Sequence, residues 1–143
     1  MTRSRGSFLF AGLRWLLVAA WAAVIWRLLT LPPEETPDVS FIPSADKLGH
    51  VAVYCIWGLL ISWAATRSFQ NPARLAVGVA VVVAGAAYGV ISEIYQAQIG
   101  RDPDLLDVAA DTVGALLAQF LYFSPRANAL LRRVISRRMP HSR

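Results

Sequence analysis

Charged residues and cysteine are both scarce in this chain, and each scarcity narrows the class of protein. Only 16% of the 143 residues are charged and 56% are hydrophobic, whereas soluble domains carry roughly 25% charged residues. A soluble domain could not cover its surface with so few charges, and disorder requires low hydrophobicity. The single cysteine, Cys55, excludes an internal disulfide and a thiolate zinc site. The class that remains is a small membrane protein with several spanning segments.

Hydrophobic runs predict an all-α membrane protein, a bundle of four transmembrane helices in a single domain, 1–143. A spanning helix needs about 20 mostly apolar residues. The predicted helices cover about residues 8–31, 46–66, 74–96 and 103–123. Ser44 is expected to cap the second helix, and Asp102, followed by Pro103 at the first helical position, is expected to cap the fourth.

The charges are divided unequally between the two sides of such a bundle. One side would carry both termini and the loop between the second and third helices, and it has no acidic residue. Its basic residues are Arg3, Arg5, Arg14, Arg67, Arg74, Arg126, Arg132, Arg133, Arg137, Arg138 and Arg143. The other side has Arg27, Lys47 and Arg101 together with the acidic residues. The positive-inside rule therefore predicts that both termini are cytoplasmic.

The segment 126–143 combines six arginines with apolar residues at helical spacing. Two interpretations remain open: a basic helix lying on an anionic membrane surface, or a solvated basic tail. Nucleic-acid binding is not expected, because no recognised binding module is present. The expected partners are membrane lipids.

Polar side chains lie at the outer ends of the second, third and fourth helices. A rise of about 1.5 Å per residue places them at similar depth. Ionised groups inside a bilayer are costly, so they normally face the bundle interior, and they mark a functional site by default. The predicted ligand-binding residues are Asp46, Lys47, His50, Glu93, Gln96, Arg101, Asp107 and Asp111.

Small residues lie on the same helix faces, on the cytoplasmic side of these polar groups. Gly58 lies on the second helix, Gly85-x-x-x-Gly89 on the third, and Gly114 with Ala118 on the fourth. Small residues allow helices to approach closely in a membrane. The pattern predicts a bundle that is tightly packed in its inner half and opened by a polar cleft in its outer half. The Gly85-x-x-x-Gly89 spacing is also compatible with a homo-oligomer.

Three motifs resemble the VanZ-like family, which is named for a teicoplanin-resistance protein. Asp46-Lys47-Leu48-Gly49-His50 is similar to the D-K-x-x-H element of that family, and Ser92-Glu93-Ile94-Tyr95-Gln96 is similar to a second element. Gly100-Arg101 followed by Asp104, Asp107, Asp111, Thr112 and Gly114 resembles a third stretch. The resemblance covers about residues 42–121. At Asp111 the family usually has asparagine, so a potential charge replaces a neutral amide.

The resemblance implies a small helical protein of the bacterial cytoplasmic membrane. It also implies a link to the cell envelope or to low-level glycopeptide (teicoplanin) resistance, as in some members of the family. The resemblance does not indicate a reaction that the protein would catalyse.

The first hypothesis is that the outer cleft binds the head of a lipid or cell-envelope precursor. Lys47 and Arg101 would then face an anionic group such as phosphate, and Glu93 and Gln96 would bond polar atoms of a sugar or peptide. A structural alternative is that the polar cluster only holds the helices together.

The second hypothesis is an enzyme that acts on a lipid-linked substrate. The catalytic candidates, residue types used in acid–base chemistry, are His50, Glu93, Asp107 and Asp111. Imidazole and carboxylates could also bind a divalent ion, but the sequence has no zinc signature, nucleophile motif or cofactor motif. A proton path is disfavoured, because the inner halves of the helices have no ionisable group apart from Arg14.

Overall fold

The computed structural model describes residues 5–31, 35, 44–66 and 74–125, and within these residues it contains four α-helices. They are α1 (Arg5–Leu29), α2 (Ala45–Ala65), α3 (Arg74–Gln98) and α4 (Leu105–Phe123). By length and composition, each is able to cross a membrane. This confirms the predicted helical architecture, with boundaries within a few residues of those expected. The predicted basic tail, 126–143, lies outside the described residues, and the cytoplasmic location of the termini stays a prediction.

The helices alternate in direction, so that their ends form two different surfaces. At one end α1 and α3 finish where α2 and α4 begin; we call it the polar end, because Lys47 of α2 pairs there with Asp104 at the start of α4. At the opposite end α1 and α3 begin; we call it the basic end, because Arg14 and Arg74 lie there. The predicted site residues therefore belong to one end of the bundle.

Many large apolar side chains of the bundle face outward, while small and polar residues make up much of its interior. Phe10, Leu75 and Phe120 are among many exposed large hydrophobic residues. The buried residues of α3, in contrast, include Gly85, Gly89, serine, glutamate and glutamine. This arrangement suits a lipid environment, where helices associate through close packing and interhelical hydrogen bonds instead of hydrophobic burial.

Glycines bring α2 and α4 together in the manner that the sequence predicts. A Cβ atom at Gly114 would overlap the carbonyl oxygen of Val51 and would lie 3.1 Å from the backbone nitrogen of Cys55. A Cβ atom at Gly58 would lie 2.6 Å from the Cβ of Ala118. The two backbones can therefore pack at this distance only because both positions lack side chains.

Interhelical hydrogen bonds continue this contact toward the basic end. Ser62 Oγ donates to Gln119 Oε1 over 2.9 Å, and the hydroxyls of Thr66 and Tyr122 are 2.7 Å apart. These pairs were not predicted, because a serine or a threonine in an apolar run gives no indication of its partner.

Aromatic donors attach α1 to the other helices through its backbone carbonyls. Trp57 Nε1 donates to the Val18 carbonyl over 3.3 Å, and the Tyr88 hydroxyl donates to the Ala22 carbonyl over 2.8 Å. Trp21 Nε1 donates in the other direction, to the Val53 carbonyl, over 3.0 Å. The amphipathic side chains thereby satisfy their polar atoms while their rings pack between the helices.

Of the two predicted caps, one has the expected position and the other is wrong. Ser44 is the N-cap of α2, as predicted, but it has a left-handed backbone (φ 59°) and its side chain makes no capping hydrogen bond. The cap of α4 is Asp104 and not Asp102, since Asp104 Oδ1 accepts a hydrogen bond from Leu106 N over 2.8 Å. The expectation that Pro103 occupies the first helical position is therefore also wrong, because α4 begins at Leu105.

Candidate polar site between three helices

Lys47 lies at the mouth of the candidate site and is surrounded by carboxylates. Its ammonium contacts Asp107 and lies 2.5 Å from Asp104 Oδ2 and 3.1 Å from Asp46 Oδ2. Asp46 and Asp104 come from the first turn of α2 and the cap of α4, so the lysine ties the two helix starts together. One ammonium group thus forms ion pairs with three carboxylates.

Asp104 connects this ion cluster to the helix backbone. Its Oδ1 caps α4 while its Oδ2 accepts from Lys47. The nearby ammonium, together with the Leu106 N–H, holds the pKa of Asp104 below its ordinary value. The carboxylate therefore stays ionised at neutral pH. Asp104 is not among the predicted binding residues, because its position at a helix start, where acids are favoured, is equally typical of a surface acid.

His50 lies one turn deeper, between two aspartates of α4. Its Nδ1 is 2.8 Å from Asp111 Oδ1, and its Nε2 is 3.6 Å from Asp107 Oδ2. Because an ionised carboxylate only accepts hydrogen bonds, Nδ1 carries a proton whenever Asp111 is ionised. The imidazole is thus oriented by Asp111, with its second nitrogen directed at Asp107.

The carboxylates form a series of increasing burial from the surface into the bundle. The exposed fraction of the side chain falls from 42% at Asp104 to 12% at Asp107 and 0% at Asp111. Successive members of this series are three or four residues apart on α4, so they share one face of the helix. This face meets the Lys47 and His50 side of α2.

Three buried polar atoms below this series have no hydrogen-bond partner in the described structure. They are the Tyr54 hydroxyl, Glu93 Oε1 and Asp111 Oδ2. The Tyr54 hydroxyl faces Ser92 and Asp111 but forms no hydrogen bond of good geometry with either. The other oxygen of Glu93, Oε2, accepts from the Asp104 backbone N–H over 2.6 Å. Buried polar atoms are normally paired, and each exception calls for an explanation.

Gly89 of α3 provides the space that the deepest carboxylate occupies. A Cβ atom at this position would lie 2.5 Å from Asp111 Oδ2 and 3.3 Å from its Cγ. The Gly85-x-x-x-Gly89 motif therefore does more than allow α3 to approach α4. It lets a completely buried aspartate point between the two helices.

Gln96 and Arg101 lie at the same end but have a different role. Gln96 Nε2 donates to the Leu29 carbonyl over 2.8 Å, and Arg101 Nη1 lies 3.2 Å from that carbonyl and 3.4 Å from the Leu31 carbonyl. The last carbonyls of a helix have no partner within it. Gln96 and Arg101 supply those partners for α1.

The structure thus brings six of the eight predicted binding residues into one cluster and separates the other two from it. We define the polar cluster as Asp46, Lys47, His50, Tyr54, Ser92, Glu93, Asp104, Asp107 and Asp111. It contains five carboxylates, and Lys47 is its only lysine or arginine, hence its one fixed cation.

Lys47 and Arg101 are not arranged as expected for binding an anionic ligand. Lys47 is surrounded by carboxylates, and Arg101 is hydrogen-bonded to backbone carbonyls. Among the described residues, no group of three or more His, Cys, Asp or Glu is placed to hold a metal ion.

The fold and this cluster define a helical protein whose spanning segments converge on buried polar groups at one end. No protein-family model matches the chain, and no curated protein or solved structure shows significant similarity to it. The function of this protein is therefore inferred from the geometry of the polar cluster.

Proposed function

We propose that the polar cluster binds the polar head of a lipid-linked cell-envelope molecule, through hydroxyl, amide or ammonium groups that donate hydrogen bonds. The observation that carries this proposal is the buried oxygen Glu93 Oε1, which has no hydrogen-bond partner among the described residues. A buried acceptor without a partner costs free energy in the folded protein. A ligand with donor groups would satisfy this oxygen.

The net charge of the polar cluster favours a ligand that donates hydrogen bonds over a ligand that carries a phosphate. Five carboxylates share one fixed cation, so an anion entering the cluster would meet net negative charge. Hydroxyl groups of a sugar or amide groups of a peptide can instead donate hydrogen bonds to these carboxylates. The proposal therefore keeps the head-group function expected from the sequence but changes the chemistry of the group that is bound.

The location suits a ligand that is anchored in the membrane. Asp46 at the mouth is 58% exposed, whereas Asp111 at the bottom is completely buried. A head group at the membrane surface could enter past Lys47 while its lipid chain stays in the bilayer. In the orientation predicted from the arginines, this end faces the outside of the cell.

Binding of a neutral glycolipid tests the proposal. Diglucosyl diacylglycerol presents sugar hydroxyls and no anionic group, and its affinity for the detergent-solubilised protein can be measured by native mass spectrometry. We expect Glu93→Gln to weaken binding about tenfold or more, since hydrogen bonds to charged groups contribute about 1.5–3 kcal/mol. Glu35→Gln is the matched control, because Glu35 is an exposed partner of Arg27 outside the polar cluster.

Two results would contradict this proposal. One is equal glycolipid affinity in the parent, Glu93→Gln and Glu35→Gln proteins. The other is preferential binding of phosphatidylglycerol that Glu93→Gln strengthens, which would show that the cluster takes an anion and that Glu93 opposes it.

Acid–base catalysis on the same kind of lipid is the second candidate, and the His50–Asp111 pair favours it. A carboxylate that orients an imidazole is a common arrangement for a general base. If the bound glycolipid is hydrolysed in lipid nanodiscs, we expect His50→Gln to lower the rate by about 10²–10⁴-fold without an equal loss of affinity. Recovery of intact glycolipid after incubation with the parent protein would exclude this activity toward that lipid.

A further inference from the structure

A second candidate site lies at the opposite end of the bundle, where α3 and α4 separate. The groove between them has a volume of about 430 Å³. Its walls are apolar and include Val79, Val82 and Val83 of α3 with Leu116 and Phe123 of α4. Two polar side chains, Arg74 and Gln119, also line it. The inner half of the bundle, predicted to be tightly packed throughout, is therefore tight between α2 and α4 but open between α3 and α4.

We propose that this groove binds one anionic phospholipid, with an acyl chain along the apolar walls and the phosphate at Arg74. A groove on the face of a spanning bundle opens to lipid chains, so an acyl chain is the available apolar occupant. Arg74 begins α3, is exposed, and forms no ion pair within the described residues. Its guanidinium is well suited to phosphate, because it presents several donors in a planar fork.

The charge at the basic end favours an anionic lipid over a zwitterionic one. Among the described residues, this end has Arg14 and Arg74 and no acidic residue. Each basic residue near an anionic membrane surface contributes about 1 kcal/mol of attraction. The phosphate would therefore lie in a basic environment, in contrast to the acidic polar cluster at the other end.

Gln119 provides a polar contact below the phosphate position. It lies four residues before Phe123, hence about 6 Å deeper in the bundle. Its Oε1 accepts from Ser62, and its Nε2 has only a long contact of 3.5 Å to the Ala115 carbonyl. Its Oε1 is the amide atom nearest the Cβ position of Gly78, whereas its Nε2 lies toward Gly58 of α2.

Gly78 leaves this amide accessible from the groove. A Cβ atom at position 78 would come no closer than 3.7 Å to Gln119, so alanine would fit and a larger side chain would project into the groove. The groove thus combines a cation at its mouth with an apolar interior, in the order in which a phospholipid presents its phosphate and its chain.

The test compares phosphatidylglycerol with phosphatidylcholine of the same acyl chains, added to the detergent-solubilised full-length protein. Affinities are measured by native mass spectrometry. Arg74→Gln removes the charge at the mouth, and Arg14→Gln is its control at the same end, where Arg14 lies over the Trp63 ring. Val79→Trp fills the groove, and Val90→Trp is its control, an exposed valine of α3 outside the groove.

We expect the parent to bind phosphatidylglycerol about fivefold more tightly than phosphatidylcholine, which corresponds to one basic contact. Arg74→Gln should abolish that preference, and Val79→Trp should weaken the binding of both lipids, while the two control variants behave as the parent. Glu93→Gln should leave phosphatidylglycerol binding unchanged, which separates this site from the polar cluster.

Three outcomes would overturn the proposal. Unchanged lipid binding by Val79→Trp would show that the lipid lies elsewhere. A retained preference in Arg74→Gln would exclude Arg74 as the phosphate contact. If Val79→Trp instead dissociates an oligomer and leaves lipid binding unchanged, the groove is an interface between copies of the chain.

Discussion

Replacing Gly114 by alanine is expected to separate α2 from α4 and to destabilise the whole bundle. The added methyl group would overlap the Val51 carbonyl oxygen and crowd the Cys55 backbone nitrogen. Backbone atoms cannot rotate away as a flexible side chain can, so we place the cost near the upper end of the range for overpacking, about 3 kcal/mol. That corresponds to a fall of roughly 6–12 °C in melting temperature, measured by thermal denaturation in detergent.

Gly49→Ala and Gly12→Ala are the matched controls for this substitution. Both glycines are helical, and a Cβ atom at either position would have no neighbour within 4 Å. Alanine has a higher helix propensity than glycine, by about 1 kcal/mol. The controls should therefore be as stable as the parent or slightly more stable. If Gly114→Ala behaves like them, α2 and α4 are not packed through Gly114.

The effect of Gly114→Ala should extend to the polar cluster. The α2–α4 contact also sets the spacing between His50 on α2 and Asp111 on α4, whose closest atoms are 2.8 Å apart. A separation of even 1 Å would break this hydrogen bond. We therefore expect the variant to lose glycolipid binding together with stability, although Gly114 itself contacts no ligand.

Helices and their buried faces could be predicted from the sequence because both depend on local patterns. Runs of about 20 apolar residues specify the spans, and the i, i+4 series containing His50, Tyr54 and Gly58 specifies the buried face of α2. The convergence of α2, α3 and α4 at one end follows from their alternating directions and from the position of the polar residues in each run.

Pairing between the helices could not be predicted, because it depends on geometry that no local pattern contains. Arg101 is the clearest case: as a basic residue beside acids it was expected to face an anion, but the unpaired carbonyls at the end of α1 bind it instead. Lys47 likewise has only Asp46 beside it in the sequence, and only the fold shows that Asp104 and Asp107 share it.

The groove at the basic end could not be predicted from the sequence either. The cleft expected among the polar residues stays a prediction, and the groove lies elsewhere, between α3 and α4. The positions of small residues in the sequence do not determine which two helices pack closely against each other. Gly114 and Gly58 close the α2–α4 pair, while Gly78 on α3 has only Gln119 and Phe123 near its Cβ position, at 3.7 Å or more.

Removing His50 alone should be strongly destabilising, and this result can distinguish a ligand site from a purely structural one. His50→Leu leaves the buried Asp111 carboxylate without its partner, and breaking a buried ion pair from one side costs about 3–5 kcal/mol. The double variant, His50→Leu with Asp111→Leu, removes both polar groups. Replacing a buried pair by apolar residues of similar volume is often neutral or stabilising, so most of the loss should be recovered.

The measurement is a double-mutant cycle on the free energy of unfolding in detergent. The pair Ser62 and Gln119, which connects the same two helices through a neutral hydrogen bond, supplies the control cycle with Ser62→Ala and Gln119→Leu. Interhelical hydrogen bonds in membranes contribute about 0.6 kcal/mol on average. The His50–Asp111 coupling should be several times larger than that of the control pair.

The stability of the double variant then decides between the two functions of the cluster. If it equals or exceeds that of the parent while glycolipid binding is lost, the ionic pair is not needed for folding and is maintained for a ligand or a reaction, as expected for functional groups that proteins keep at some cost in stability. If the double variant is instead about as unstable as either single variant, the loss of the pair itself causes the destabilisation, and the pair holds α2 and α4 together. In that case the cluster is a structural element, and the proposal of a head-group site at the polar end fails.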